Sequence, residues 1–187
     1  MAREQIRIRA ARGDDVAAIG EIVVASWRHT FDGILPRDFL MSMSRHHQKR
    51  RHGRTLSLDF VHYVVAVTND GEVIGFASGG PGRDPDFAAR NEIYATYVKP
   101  GFERRGIGRC LFASILSALA TSKQRGFYLT ALAVNPNRSF YAKLGGVETD
   151  APRIRLGRDS YEQVAFVWDD LPTADTGPRQ QGSTGPP

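Results

Sequence analysis

The stretch from Val98 to Arg109, Val-Lys-Pro-Gly-Phe-Glu-Arg-Arg-Gly-Ile-Gly-Arg, constrains this chain more than any other. The residues Ile93-Tyr94-Ala95-Thr96-Tyr97-Val98 are rich in β-branched and aromatic side chains and predict a strand. Beyond the turn, Ile107, Cys110, Leu111, Ser114, Ile115, Ala118 and Leu119 recur at helical spacing, which predicts one apolar face and a buried, inert Cys110. Gly106 and Gly108 thus fall where strand gives way to helix. With no Cβ in the way, a ligand can approach the backbone closely. The first N–H groups of a helix have no internal partner and carry the positive end of its dipole. Ringed by Arg104, Arg105 and Arg109, they predict a phosphate site. No Gly-Lys-Ser/Thr follows, so the turn is not a P-loop. It is not a dinucleotide fingerprint either, because the third glycine would fall at Leu111. A pyrophosphate held here belongs to a carrier rather than to a reacting group. The competing reading is a glycine turn with a solvated basic face.

The second informative segment is Asn135-Pro136-Asn137-Arg138-Ser139-Phe140-Tyr141-Ala142-Lys143-Leu144-Gly145-Gly146. Asn135 or Asn137 can cap a short helix, and Gly145-Gly146 stops it. In this order and about 30 residues apart, the two segments resemble the GNAT superfamily of acyl-CoA-dependent N-acyltransferases. That family carries Arg/Gln-x-x-Gly-x-Gly/Ala between its fourth strand and third helix; this chain has Glu103-Arg104-Arg105-Gly106-Ile107-Gly108, departing at Glu103. The family's Asn-Pro-x-x-x-Phe-Tyr-x-x-Leu-Gly segment is met from Asn135 to Gly145. The resemblance covers roughly residues 5–170. It implies acetyl-CoA or coenzyme A as co-substrate and no metal. It implies that Tyr97, Val98 and the backbone from Arg104 through Arg105, Gly106, Ile107 and Gly108 to Arg109 hold the cofactor. Asn135 then contacts the pantetheine arm, and Tyr141 lies by the cofactor sulfur. The implied fold is α/β (α+β): a mixed, mostly antiparallel central sheet of six to seven strands flanked by about four helices.

The remaining sequence fits one domain over 1–171. Ile6 to Ala10 alternates as a first strand. Asp14 or Asp15 caps a helix with Val16, Ile19, Ile22, Val23 and Trp27 on its apolar face, and Pro36 starts a second helix to about Met43. His46 to Arg54 is a dense basic run. It reads as a solvated helix end in preference to a nucleic-acid patch, because no aromatic residue is interleaved. Two strands, Tyr63–Val67 and Val73–Ala77, flank the hairpin signal Asn69-Asp70-Gly71. Gly79 to Pro85 reads as a mobile loop at the mouth of a site. The long helix runs to about Ser122, Tyr128 to Val134 forms a strand, and Arg153–Leu156 and Val164–Trp168 close the sheet. The stretch 172–187 is rich in Pro, Gly, Thr and Gln and predicts a disordered tail. One cysteine fits a reducing cytoplasm, and no apolar run approaches a membrane span. A net charge of +5 permits an anionic partner without implying nucleic acid.

Acetyl transfer to an amine needs a proton acceptor, since an alkylamine is a nucleophile only when neutral. Glu92, six residues before Val98, is the leading general base; its other reading is a carboxylate paired with a nearby arginine. Tyr94 is the second candidate, because period-2 alternation puts Glu92, Tyr94 and Thr96 on one face. A backbone N–H of Tyr97–Val98 can stabilise the oxyanion, and Tyr141 can protonate the leaving sulfur. Trp27, Phe31 and Tyr94 are candidates for the acceptor wall. The expected reaction is direct transfer of acetyl to a primary amine without an acyl-enzyme. The acceptor is a small molecule or a protein amine, with no nucleic acid and no membrane, and a homodimer is left open. The alternative is a non-catalytic binder of nucleotide or nucleic acid.

Overall fold

The computed structural model describes residues 5–87, 90–120, 124 and 126–169. The expected tail and the predicted end of the long helix at Ser122 lie outside these residues. In chain order the elements are β1 (Arg7–Ala10), α1 (Val16–Thr30), α2 (Arg37–Ser42), α3 (Arg45–Leu56), β2 (His62–Val67), β3 (Val73–Pro81), β4 (Asn91–Val98), α4 (Ile107–Leu119), β5 (Phe127–Leu132), α5 (Ser139–Ala142), β6 (Val147–Leu156) and β7 (Asp159–Trp168). The strands form one sheet in the order β1-β2-β3-β4-β5-β7-β6. Every neighbouring pair is antiparallel except β4 and β5. The α/β fold class and the mostly antiparallel sheet are as the resemblance implies.

Short-range chemistry sets the boundaries. Asp15 accepts from the Arg12 N–H at 2.7 Å and takes both arms of Arg9, which fastens the start of α1 to β1. The Arg9 guanidinium holds its carboxyl below the usual carboxylate range. Gly71 adopts φ +91° in the β2–β3 hairpin. Gly79 to Pro81 belongs to β3 rather than to a mobile loop, because these residues pair with Ile93, Glu92 and Asn91. Val134, expected in a strand, lies beyond β5 and is exposed.

Two cores lie on opposite faces of the sheet. On one, α4 sets Leu111, Phe112, Ile115 and Leu119 against Ile74, Ile93, Phe127 and Phe166. On the other, Ile19, Ile22 and Val23 of α1 cover Tyr63, Val65 and Phe76. Phe112 and Leu116, which the sequence pattern did not include, turn the buried arc of α4 away from Cys110. At 3.6 residues per turn Cys110 then lies on the far side, and it is exposed instead of buried. Helix α3 lies close along α1: a Cβ at Gly20 would meet the Lys49 backbone nitrogen at 2.8 Å. That contact sets which face of α3 looks toward the sheet.

Candidate active site

Strands β4 and β5 pair only at Asn91–Phe127 and Glu92–Tyr128. Beyond those two pairs they diverge, although each strand continues. Lys99 N–H bonds to Ile74 C=O, which makes Val98–Gly75 a non-hydrogen-bonded pair. The N–H groups of Val98 and, by alternation, Thr96 therefore turn away from β3 toward the opening. Into it leads a cavity of about 1210 Å³. It runs from the start of α4, between β4 and β5, to the walls made by α1, α2 and α3.

At the α4 end, Arg104 has φ 60° and Gly106 φ 81°, so the chain turns twice through the left-handed region before the helix begins. The N–H groups of Gly106, Ile107 and Gly108 find no backbone carbonyl among the described residues. Arg104, Gly106, Gly108 and Arg109 line the cavity. Ile107 contributes backbone only, its side chain being buried in the core. Arg105 does not line the cavity; it donates to Gly101 C=O at 3.0 Å and lies 4.9 Å over the Phe102 ring. Glu103, the departure from the family pattern, turns its carboxylate onto the Gly101 N–H at 2.6 Å, with His29 at 3.7 Å. This arrangement fits a pyrophosphate: convergent donors, two arginines, and open space over Gly106, where a Cβ would meet nothing within 4 Å. Asn135 is on the rim, its Oδ1 accepting from the Asn137 N–H at 2.9 Å.

At the middle of the cavity, Trp27 Nε1 donates to the Tyr97 hydroxyl at 2.8 Å, and Ser26 Oγ donates to Val98 C=O at 3.1 Å. Tyr141 comes from α5, its ring held among Phe112, Phe140 and Phe166. Burial, with Tyr97 close by, pushes its phenol well above the ordinary value, so it keeps its proton. Its hydroxyl makes no hydrogen bond with a described residue and is open to the cavity. The structure therefore brings together Trp27, Phe31, Tyr94, Tyr97, Val98, Asn135 and Tyr141.

Glu92 is near but does not line the cavity. It is 4% exposed and accepts from Arg83 Nε at 2.9 Å, Arg83 Nη2 at 2.5 Å, the Arg83 N–H at 3.1 Å and the Tyr128 hydroxyl at 2.9 Å. This is the paired-carboxylate arrangement. Nor do Glu92, Tyr94 and Thr96 share a face. The register of β4 slips by one residue between Ile93 and Ala95, placing Tyr94 and Ala95 together against the α1 core and turning Thr96 to the other side. Tyr94 donates to Pro81 C=O at 2.7 Å and carries the Arg83 guanidinium 4.1 Å above its ring.

The basic run is more than a solvated helix end. His47, Gln48, Arg51 and His52 of α3 all line the cavity. Their i, i+1, i+4, i+5 spacing on one helical face is the signal in the sequence that marks them. His52 is buried, its Nδ1 2.9 Å from the Tyr63 hydroxyl. Burial, aided by the Arg51 charge, lowers its pKa to about 4, so it is neutral at physiological pH.

Comparison with known proteins agrees with this geometry. Residues 59–145 match the acetyltransferase (GNAT) domain family. The chain is 28% identical over 166 residues to the uncharacterized N-acetyltransferase YuaI of Bacillus subtilis, covering 89% of this chain and 94% of that one. Its fold is similar to the PaiA N-acetyltransferase of Thermoplasma acidophilum, solved in complex with coenzyme A. The TM-score is 0.70 at 21% identity, over 86% of this chain and 98% of that one. It is also similar to YncA from Salmonella typhimurium, solved with its cofactor acetyl-CoA. There the TM-score is 0.67 at 22% identity, over 90% and 96% of the two chains. Fold, glycine turn and sequence likeness converge: the chain is similar to the GNAT acyl-CoA-dependent N-acetyltransferases over residues 59–145 and shares their fold.

Proposed function

We propose that this protein transfers an acetyl group from acetyl-CoA to a primary amine by direct attack, without an acyl-enzyme. The observation that carries the reading is the single cavity joining the α4 turn to the open edge of β4 and the Tyr141 hydroxyl. Acetyl-CoA supplies an activated thioester. The turn N–H groups with Arg104 and Arg109 hold its pyrophosphate, and Asn135 borders its arm. The Val98 N–H, turned into the opening, donates to the carbonyl oxygen as negative charge develops there. The acceptor nitrogen forms its bond to the carbonyl carbon while the carbon–sulfur bond breaks. Tyr141 gives its proton to the departing sulfur and regains one from the amine through water. Cys110 is exposed on the outer side of α4 and lines no part of the cavity, which supports direct transfer.

The test joins binding to turnover. Coenzyme A at about 100 times its dissociation constant adds about 2.7 kcal/mol of stability, a rise of roughly 5–10 °C in melting temperature for a protein of this size. Thiol release from acetyl-CoA depends on added amine. Tyr141→Phe lowers turnover by about 100- to 10,000-fold with an unchanged coenzyme A shift. A wild-type protein that shows no shift at millimolar coenzyme A refutes the reading.

A further inference from the structure

The half of the cavity walled by α1, α2 and α3 carries information about the acceptor. Of its charged lining only Glu103, 3.7 Å from His29 of α1, is acidic. Arg51 reaches into it from α3, and its guanidinium makes no hydrogen bond or ion pair with any described residue. Arg83 borders the same space, braced from behind by Glu92 and from below by Tyr94. Among the described residues no carboxylate pairs with Arg51, whereas Arg83 is paired with Glu92. Glu92 is consumed by Arg83, and Glu103, the one acidic residue of the lining, belongs to the loop before α4 and is bonded to Gly101 N–H. A polycationic acceptor therefore meets Arg51 with no carboxylate paired to it. An anion here meets a donor fork that is free of competing carboxylates.

Two further features complete the outline. Gln48 Oε1 on α3 is buried, lines the cavity and lacks a partner among the described residues. It accepts hydrogen bonds, as an incoming amine requires. Part of the lining is apolar, formed by Phe39, Met43, Ile154 and Leu156. On the premise of the acetyl transfer proposed above, we infer that the acceptor is a small primary amine carrying a carboxylate. Arg51 holds the carboxylate while an apolar body rests on these apolar side chains.

The experiment measures thiol release by the full chain at saturating acetyl-CoA. The acceptors are L-phenylalanine, L-phenylalaninamide, phenethylamine, spermidine and the other standard amino acids. A charge-assisted bond to the carboxylate predicts kcat/KM for a carboxylate-bearing amine about 10- to 100-fold above that of its amide. Arg51→Gln collapses that ratio toward one, mainly through KM; Arg51→Lys restores part of it. Thermal stabilisation by coenzyme A is unchanged in both variants. The inference is overturned by equal or better turnover of amide, phenethylamine or spermidine. It is overturned equally by an Arg51→Gln enzyme that keeps the full ratio, or by coenzyme A binding without turnover of any amino acid. In each of these cases cofactor binding survives. A wild-type chain that neither binds coenzyme A nor releases thiol fails the underlying acetyl transfer as well.

Discussion

Glu92→Gln separates a proton acceptor from a brace. The substitution keeps the shape of the side chain but removes the charge and one of two accepting oxygens. In the wild type those oxygens receive four hydrogen bonds: two from the Arg83 guanidinium, one from its N–H and one from the Tyr128 hydroxyl. Burial pushes the Tyr128 phenol up to about 12, so it is a proton donor throughout the working range. A glutamine amide can serve about half of these donors and turns its own N–H₂ against the rest. Hydrogen bonds to a charged acceptor are each worth about 1.5–3 kcal/mol. The Arg83 side chain is 57% exposed, so water compensates its share and the surface-pair value of about 1 kcal/mol or less applies there. The sum is a loss of about 2–3 kcal/mol, or roughly 4–12 °C in melting temperature. Because the carboxylate does not face the cavity, kcat falls less than about tenfold and its pH profile keeps its shape. The acceptor KM rises as Arg83 loosens. Thermal unfolding with pH–rate profiles from pH 6 to 10 decides the matter. An unchanged melting temperature, with a hundredfold loss of kcat at pH 7 that recovers above pH 9, would show Glu92 to be the general base.

Two further outcomes follow from α3. His52 has a folded pKa of about 4 against 6.5 unfolded, so the unfolded chain takes up its proton first. Its contribution is intact above about pH 6.5 and is lost as the pH falls toward about 4, by about 3 kcal/mol in all; His52→Gln flattens that slope in melting temperatures taken between pH 7 and 4. Gly20→Ala forces a Cβ against the Lys49 backbone nitrogen and pushes α3 off α1. Overpacking of about 1–3 kcal/mol is partly offset by alanine's higher helix propensity, so stability changes little, while the acceptor KM rises and the coenzyme A shift is retained in calorimetry.

What was legible in the sequence is what local chemistry decides. The Gly106–Gly108 turn announces itself because a helix start with stacked arginines has few other uses. Tyr141 and Asn135, singled out by the family resemblance of their segment, both line the cavity. The Asn69-Asp70-Gly71 hairpin and the apolar periods of α1 and α4 needed no tertiary information. The losses occur where an answer depends on an element distant in the chain. Cys110 faces solvent because Phe112 and Leu116 find Phe127 and the sheet. Thr96 changes sides because β4 slips against β3, and no pattern within β4 encodes a slip. Gly79 to Pro81 has the composition of a loop and becomes strand because Asn91 to Ile93 lies beside it. The basic run looked like a solvated end because the charge of α3 hides its helical spacing; only the sheet beneath gives His47, Gln48, Arg51 and His52 a cavity to face.

The divergence of β4 and β5 has a mechanical side. Seven strands share one sheet, yet β1–β4 and β5–β7–β6 are stitched together by only two residue pairs, at Asn91 and Glu92. Below the gap, α4 keeps a continuous apolar floor from Ile74 to Phe166, so the two leaves remain parts of one body. Of the backbone groups that a longer seam would have paired, Val98 C=O is taken by Ser26 Oγ, while the Val98 N–H is turned into the opening. That is stability withheld from the fold and held over for whatever bridges the gap. Selection for a sturdier protein would zip the seam further along Ile93 and Leu129. Each added rung would close the space in which a thioester and an amine can meet.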